Sequence, residues 1–372
     1  MSGCDDTPIL PAARPDDEAR LATYMSAMMK APTQDPFVPD RRRVLAGAAG
    51  AAAAAVLAPR PAAAADAVTF GTNWTPQAEH GGFYQALADG TYARHGLDVR
   101  IVPGGPQSNN RMLLAAGRLD FYMGGNLIQA FAALEQEIPT VVVAALFQKE
   151  PQILLSHPGR GFDRFEDLRR ATLFLSRQTV ASTFQWLKAE HGFRDEQVKP
   201  YAFSAAPFLA DPNSAQQGYV TAEPLIIETQ GGFRPNVFLL ADYGFDSYAT
   251  TIEARRDLVA GRPDLVQRFV EASILGWSTY LFGDNAAGNA AIRAANPDVT
   301  EAMIAYAVAR MKADGIVLSG DAETAGIGAM TDARMASFYA RMVRAGVLRA
   351  GLDIKRAYTL AFVNRGLGLP RR

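Results

Sequence analysis

The sequence predicts an α/β protein of two lobes, each a doubly wound sheet flanked by helices, with a discontinuous first lobe and a helical C-terminal third. Three observations lead to this prediction. Short apolar runs alternate with helical patterns from Ala67 to about residue 150, and a second stretch of the same kind covers about 153–241. The last third has apolar residues at helical spacing. We therefore expect a cleft between the lobes, since ligands bind at the carboxyl ends of open parallel strands.

The first 65 residues are expected to lie outside the folded domain. Residues 1–39 are polar and rich in proline and aspartate, which is typical of a disordered leader or of a mis-annotated start. Residues 40–65 have the pattern of an export signal, in which arginines precede an alanine-rich run and small residues place a cleavage site near Ala65. The alternative is a cytoplasmic protein with an alanine-rich tail.

The apolar run of this signal has about 15 residues, whereas a membrane span needs roughly 20. Its arginines, Arg41 to Arg43, resemble a twin-arginine signal, and general secretory export is the alternative. We expect the mature protein to be periplasmic, without a lipid anchor, because the single cysteine, Cys4, precedes the apolar run.

The first lobe is predicted to comprise residues 66–152 and 249–372. Its strands are expected at 68–70, 97–102, 119–123, 141–146 and 248–252, and its first helices at 82–88, 109–116 and 127–134. The second lobe, 153–248, is predicted to hold strands at 172–175, 198–203 and 237–240 and a helix at 183–191. The chain then crosses between the lobes twice, near 150–155 and 243–250.

Two helices of the C-terminal third have clear signals. One begins at Pro263, since proline is tolerated in a first turn, and carries an apolar stripe that includes Phe269 and Trp277. The other begins after Thr331, a good N-cap residue, and ends before Gly346.

Composition excludes several functional classes. A net charge of −1 gives no electrostatic case for nucleic acid. One cysteine excludes a disulfide framework, and no metal-ligand spacing or nucleophile elbow occurs. We therefore expect no catalytic residues, no metal, no cofactor and a monomeric protein that binds a small molecule.

The most informative stretch, residues 73–84, follows the first predicted strand. Trp74 offers a flat face for a planar ligand, while Asn73 and His80 can donate or accept hydrogen bonds. Tyr84 and the glycine pair 81–82 continue the same loop into a helix, where glycine allows close approach of the backbone. The alternative is that Trp74 only plugs the first lobe and that Tyr84 belongs to its core.

Five further residues are candidates for ligand contact. Gly125 and Asn126 end the third strand, where the alternative is an ordinary strand-to-helix turn. Thr179 precedes the helix at 183–191, where Thr179 or Ser182 can equally serve as its cap. Tyr219 and Glu223 are predicted to end a short strand of the second lobe. A carboxylate there would accept hydrogen bonds from an amino group beside a ring nitrogen and would repel nitrate or sulfonate.

The motif W-x-P-x-x-x-H-G-G-F-Y, residues 74–84, carries a resemblance to a known family. From Ala67 to Leu369 the chain is similar to type II periplasmic solute-binding proteins of the nitrate, sulfonate and taurine type, and the motif resembles the branch that binds thiamine pyrimidine precursors. That resemblance implies a permease partner in an ABC importer, a ring stacked on Trp74 and an amino edge paired with Glu223.

The resemblance leaves other ligands and functions open. Flavins are bound by relatives, and a sulfonate or nitrate carrier is the first alternative. A pyrimidine synthase-like enzyme that uses His80 is the second, although such enzymes have a cysteine-rich motif and this chain has only Cys4. A sensory binding module is the third.

Overall fold

Two five-stranded sheets form the frame of the chain in the computed structural model, which describes residues 64–105 and 107–370. The strands of the first sheet are β1 (Asp66–Gly71), β2 (Leu97–Val102), β3 (Phe121–Asn126), β4 (Thr140–Phe147) and β10 (Ala249–Arg255). Those of the second are β5 (Gln152–Ser156), β6 (Thr172–Leu175), β7 (Val198–Pro200), β8 (Ser214–Tyr219) and β9 (Asn236–Leu239). The predicted two-lobed α/β fold is confirmed.

The two sheets share one topology. Their strand orders are β2-β1-β3-β10-β4 and β7-β6-β8-β5-β9. In each sheet the strand that the chain enters after a crossing, β10 or β5, runs antiparallel to both neighbours, while the other strands share one direction. The sheets are therefore mostly parallel, as predicted, and each is mixed through one antiparallel strand that directly follows a crossing.

Eight α-helices of eight or more residues lie in the described ranges. They are α1 (Gly81–Ala88), α2 (Leu127–Glu135), α3 (Thr183–His191), α4 (Glu223–Gly231), α5 (Pro263–Phe282), α6 (Ala286–Ala295), α7 (Glu301–Ala313) and α8 (Asp332–Arg344). Shorter helices span Thr91–Arg94, Asn110–Ala115, Arg177–Ala181, Ala206–Ala210, Arg256–Gly261 and Ala322–Ala325. Single 3-10 turns cover Ala78–His80, Phe165–Arg170, Asp195–Gln197, Leu240–Tyr243 and Ile354–Arg356.

Most predicted elements agree with these bounds. The Thr331 side chain caps α8 by accepting from the backbone N–H of Arg334, and Gly346 follows the helix with φ of 69°, as the sequence predicts. Strand β5 was not predicted, although it is buried along its whole length, and the short strand predicted to end at Glu223 is displaced by four residues from β8, which ends at Tyr219. The lobe boundaries stay a prediction, and the leader and nearly all of the export signal lie outside the described residues. No described helix has both the length and the apolar character needed to cross a membrane.

Helix α5 holds the first sheet in place. Its Phe269 ring stacks on Phe121 of β3, with centroids 4.1 Å apart, and lies 5.3 Å from the ring of Phe70 in β1. The predicted apolar stripe of this helix is buried, including Trp277, whose indole meets the Phe83 ring of α1 edge-on at 5.9 Å. These contacts fix the carboxyl ends of β1 and β3, where the candidate site lies.

The glycine pair at the start of α1 serves this helix packing. A Cβ atom on Gly81 would overlap the Tyr280 ring, and one on Gly82 would overlap the indole of Trp277. A Cβ on Gly276 of α5 would in turn overlap the backbone carbonyl oxygen of Gly82. The sequence interpretation, in which the pair allows the backbone to approach a ligand, is wrong: the glycines let α1 and α5 touch.

The C-terminal segment covers the outer edge of β4. The backbone N–H of Val142 donates to the Ala357 carbonyl at 2.8 Å, and that of Ala145 donates to the Gly328 carbonyl at 3.1 Å. An open strand edge is thereby paired within the chain. Strand β4 is buried at every position, which explains its unbroken apolar run.

Both crossings between the sheets contact one arginine of α8. The chain crosses at residues 148–151 and again at 240–248. The guanidinium of Arg334 donates to the backbone carbonyl of Gln148 in the first crossing. It also forms an ion pair with Asp246 at 2.7 Å and lies 4.1 Å from the ring centroid of Tyr248 in the second.

Replacing Arg334 with alanine is expected to lower the free energy of unfolding by about 1–3 kcal/mol. The variant leaves the Gln148 carbonyl without its charged donor and removes the stacking on Tyr248. Urea denaturation measures the change. The matched control is Arg365→Ala, which removes an exposed 3.4 Å ion pair with Glu271 and should change stability by no more than about 0.5 kcal/mol. Equal effects of the two variants would contradict this role for Arg334.

Candidate ligand-binding site

A cavity of about 380 Å³ lies between the two sheets. From the first sheet it is lined by the loop after β1 and by the end of β3, and from the second by the loops after β6 and β7 and the end of β8. The first crossing contributes Glu150 and Pro151, and the strands that follow the crossings contribute Gln152 of β5 and residues 249–250 of β10. The cavity is therefore where the predicted cleft should be, at the carboxyl ends of parallel strands.

Trp74 is held on the first wall by a compact loop. The Thr72 hydroxyl donates to the Trp74 carbonyl at 2.9 Å, and the backbone N–H of Gly104 lies 3.0 Å from the Thr72 hydroxyl and 3.1 Å from the Trp74 carbonyl. A Cβ atom on Gly104 would overlap the backbone of residues 72–74, so glycine is required for this approach. The indole is half-buried and lines the cavity.

Aromatic rings from the second sheet meet Trp74 across the cavity. The Phe203 ring lies 5.2 Å from the indole, tilted by 44°, and the Tyr201 ring lies 5.3 Å from that of Phe203. Phe203 is 56% exposed and has φ of 58°, a left-handed conformation that is costly for a bulky residue. The two walls thus present a set of flat apolar faces at one side of the cavity.

Carboxyl groups line another part of the cavity. Glu79 and Glu150 are buried, at 4% and 1% exposure, and Glu223 is half-buried. Burial raises the pKa of Glu150 and of Glu223 to about 7, and it raises that of Glu79 as well. Near neutral pH Glu150 and Glu223 therefore change between a donor and an acceptor form at little cost.

Tyr219 lies among these carboxyl groups. Its backbone N–H donates to Glu223 Oε2 at 2.7 Å, and the Tyr201 hydroxyl donates to Glu223 Oε1 at 3.5 Å. Burial, followed by the charge of Glu150, raises the pKa of the Tyr219 hydroxyl well above its usual value. The hydroxyl is therefore neutral and able to donate.

One carboxyl group joins the two walls directly. Glu79 lies in the 3-10 turn before α1, and it accepts a hydrogen bond from the Thr221 hydroxyl, which follows β8 of the other sheet. Both side chains are buried. With the contact between Trp74 and Phe203, this hydrogen bond ties the sheets together on either side of the cavity.

His80 lines the cavity as a neutral ring. It is 1% exposed, and burial lowers its pKa to about 3. Its Nδ1 has no hydrogen-bond partner in the described part of the chain. A neutral imidazole offers one donor and one acceptor and adds no positive charge to the site.

The structure brings eight of the nine predicted ligand contacts to this cavity. They are Asn73, Trp74, His80, Gly125, Asn126, Thr179, Tyr219 and Glu223. Some also have the structural role that the sequence left open, since Asn126 caps α2 by accepting from the backbone N–H of Ile128 at 3.2 Å. Their part in ligand binding stays a prediction.

Three details of the sequence interpretation are wrong. Tyr84 does not line the cavity and is buried in the core at 4% exposure, because its position on α1 faces the first lobe. Glu223 does not end a strand but begins α4, since β8 stops at Tyr219. The Ser182 side chain makes no capping hydrogen bond to α3. Thr179 does not cap that helix either, because its own backbone N–H donates to the Ser176 hydroxyl at 3.2 Å, which caps the preceding short helix.

The sequence interpretation missed Glu150, Tyr201 and Phe203. A signal for Glu150 was present, since it is a lone carboxylate between two apolar runs that form buried strands. Tyr201 and Phe203 follow β7, so they too lie at the carboxyl end of a strand. Their approach to Trp74 depends on how the two sheets face each other, which no local pattern reveals.

Cationic side chains are absent from the cavity wall. Among the described residues that line it there is no lysine or arginine, while three glutamates do line it. The nearby Arg111 guanidinium forms a two-point ion pair with Glu253, with N–O distances of 2.6 and 2.7 Å. No group of three or more histidine, cysteine or acidic side chains in the described ranges is arranged to hold a metal ion. The wall suits a ligand that donates hydrogen bonds or carries positive charge.

This fold is that of the substrate-binding proteins of ABC importers. The aliphatic sulphonate-binding protein SsuA from Escherichia coli is similar in structure, with a TM-score of 0.61 at 12% identity over 78% of this chain and 91% of that one. The desulfurization enzyme DSZB has the same fold, with a TM-score of 0.54 at 16% identity over 81% of this chain and 98% of that one. At such identities the likeness establishes the fold alone.

The chain belongs to the NMT1/THI5-like family, whose sequence pattern matches residues 77–283. It is also similar to the riboflavin-binding protein RibY from Chloroflexus aurantiacus, with 26% identity over 330 residues that cover 85% of this chain and 92% of that protein.

Proposed function

We propose that this protein is the substrate-binding component of an ABC importer and that it captures a small planar nitrogen heterocycle in the cavity between its sheets. The fold, the NMT1/THI5-like family and the similarity to a riboflavin-binding protein support this proposal. The protein is proposed to act as an exported, periplasmic monomer that delivers its ligand to a permease.

The observation that carries the proposal is the combination of a half-buried indole and hydrogen-bonding carboxyl groups in one cavity. Trp74 provides a flat face, and Glu150, Glu223 and the Tyr219 hydroxyl provide polar partners. Planar nitrogen heterocycles have the matching chemistry, since their faces stack on aromatic rings while their edges make directed hydrogen bonds.

Two kinds of heterocycle fit this description. A thiamine pyrimidine precursor would place its amino edge against Glu223, and a flavin would place its imide edge there. The cavity of about 380 Å³ has room for a fused ring system, because drug-sized ligands occupy pockets of about 300–1,000 Å³. Together with the similarity to RibY, this volume favours a ligand larger than a single ring.

An anion carrier has less support despite the likeness to sulphonate-binding folds. A sulfonate or nitrate would face three carboxyl groups without a lysine or arginine among the described lining residues. Like charges in a poorly solvated cavity repel strongly. An enzymatic role that uses His80 also has less support, because a buried imidazole with a pKa of about 3 is a poor proton acceptor near neutral pH.

Mass spectrometry of the small molecules released from the natively purified protein tests the proposal. We expect a stoichiometric amount of a planar nitrogen heterocycle that absorbs near-ultraviolet or visible light. A stoichiometric aliphatic sulfonate would contradict the proposed substrate class. Heating the protein after removal of the ligand, with and without the identified compound, checks that the compound stabilises the folded state.

A further inference from the structure

Glu150 is a buried carboxyl group on the first crossing between the sheets. It follows β4 and precedes β5, at 1% exposure, and its side chain lines the cavity. Because the crossing belongs to neither sheet, a ligand that contacts Glu150 touches the segment on which the two lobes would turn. Neither the fold nor the family comparison assigns a role to this residue.

One oxygen of Glu150 lacks a partner. The Tyr219 hydroxyl at the end of β8 and the Asn126 side chain at the end of β3 lie beside the carboxyl group and oppose the rise in its pKa. Its Oε2 atom, by contrast, is buried and has no hydrogen-bond partner among the described residues. A buried acceptor without a donor is costly, and such groups are generally satisfied by water or by a ligand.

Among the described residues that line the cavity, no cationic side chain is present to donate a hydrogen bond to Glu150. The ionisable groups that line the same cavity are Glu79, His80, Tyr122, Tyr201, Tyr219 and Glu223. None of them carries positive charge near neutral pH, because His80 is neutral and the others are acids. The missing donor therefore has to come from the contents of the cavity.

We infer that Glu150 is a specificity-determining residue, whose Oε2 accepts a hydrogen bond from an N–H group on the edge of the bound heterocycle. This inference rests on the proposed function and narrows its substrate class. The ligand then carries at least one ring imide or exocyclic amino N–H at this edge. Heterocycles that are alkylated at that nitrogen are excluded, because they leave the carboxylate oxygen unpaired.

The inference predicts how the affinity for the ligand depends on pH. Burial raises the pKa of Glu150 to about 7, and a donated hydrogen bond favours the ionised form. Binding therefore lowers this pKa and releases a proton. For an uncharged ligand the affinity falls by about tenfold per pH unit below 7 for each such carboxyl group. Glu223, with a pKa also raised to about 7, adds to the dependence in the wild type, so loss of Glu150 should reduce the slope by one proton.

The test titrates wild type and Glu150→Gln with riboflavin and N3-methylriboflavin between about pH 5.5 and 8.5, and with 4-aminopyrimidine and 4-dimethylaminopyrimidine at the upper end of that range, where both pyrimidines are uncharged. We expect wild type to bind the N–H member of the pair at least about tenfold more tightly than its alkylated counterpart. Glu150→Gln should weaken this preference, because the amide oxygen accepts the same hydrogen bond without the negative charge, and it should reduce the pH slope. Glu196→Gln, at an exposed site with 81% side-chain exposure, is the control and should behave as wild type.

The outcomes distinguish the proposed binding function from the inferred role of Glu150. If Trp74→Ala weakens binding while Glu150→Gln leaves affinity, N–H preference and pH slope unchanged, the proposed function stands and the inference is overturned. If wild type binds none of the four compounds, both are overturned. Should Glu150→Gln fail to fold, the comparison of alkylated and unalkylated ligands on wild type still decides, since equal affinities overturn the inference.

Discussion

Replacing Trp74 with alanine is expected to weaken binding of the heterocycle by about 5- to 150-fold. Stacking of a flat nitrogen heterocycle on an aromatic side chain contributes about 1–3 kcal/mol as measured by alanine substitution. The backbone of Trp74 is fixed by hydrogen bonds with Thr72 and Gly104 and its indole is half-buried, which limits the entropy lost when the ligand stacks on it. Trp74→Phe should recover most of the affinity, because it keeps an aromatic face.

Tryptophan fluorescence measures this effect directly. The chain has three tryptophans, and Trp186 and Trp277 are fully buried away from the cavity, so quenching by the ligand reports on Trp74. Leu87→Ala is the control, because Leu87 is 38% exposed and does not line the cavity. If Trp74→Ala binds as tightly as wild type, the stacking role is wrong.

Replacing Gly82 with alanine is expected to lower the free energy of unfolding by about 1–3 kcal/mol, the usual cost of overpacking a core. A methyl group there overlaps the indole of Trp277, which is fully buried and packed against the rings of Phe83, Phe147 and Tyr280. The indole therefore has no free space to move into. The higher helix propensity of alanine does not offset a clash with a rigid side chain.

The control for this prediction is Gly261→Ala. Gly261 ends the helix Arg256–Gly261, and a Cβ atom there meets nothing within 4 Å. We expect its stability to be unchanged or slightly raised, because alanine restricts the unfolded chain. Urea denaturation compares the two variants. A Gly82→Ala protein as stable as Gly261→Ala would contradict the direct contact between α1 and α5.

The sequence was sufficient to predict most of the fold, because the signals for it are local. The apolar run of β4, the stripe on α5 and the caps of α8 each depend on residues within one element. Strand β8 was harder to predict because it contains two glutamines and a glycine within six residues, which weakens the apolar pattern of a strand. The antiparallel direction of β5 and β10 follows from the path of the chain and leaves no local signal, although β10 was predicted as a strand at 248–252.

The candidate site was predictable only where it depends on strand ends. Trp74 and Asn126 follow strands of the first sheet, so their position at the cavity could be inferred from sequence. The helical position of Tyr84 gave no indication of which face is buried. Glu150 and the contact between Trp74 and Phe203 depend on the two sheets facing each other. Such long-range arrangements are not encoded in any one stretch of residues.

The glycines of the W-x-P-x-x-x-H-G-G-F-Y motif show how one pattern can serve two purposes. Its first half, with Trp74 and His80, lines the cavity. Its second half, with Gly81, Gly82 and Phe83, packs against α5. The motif therefore joins the wall of the site to the core of the first lobe, so substitutions in its second half should reduce stability before they alter ligand contacts.

The most direct test of the central claim is a calorimetric titration of the ligand-free wild-type protein with riboflavin, 4-aminopyrimidine and an alkanesulfonate in one buffer. The account predicts saturable one-to-one binding of at least one of the two heterocycles, with a negative heat-capacity change from burial of the flat ring, and no measurable heat for the sulfonate. Saturable binding of the sulfonate, with neither heterocycle bound, would contradict it.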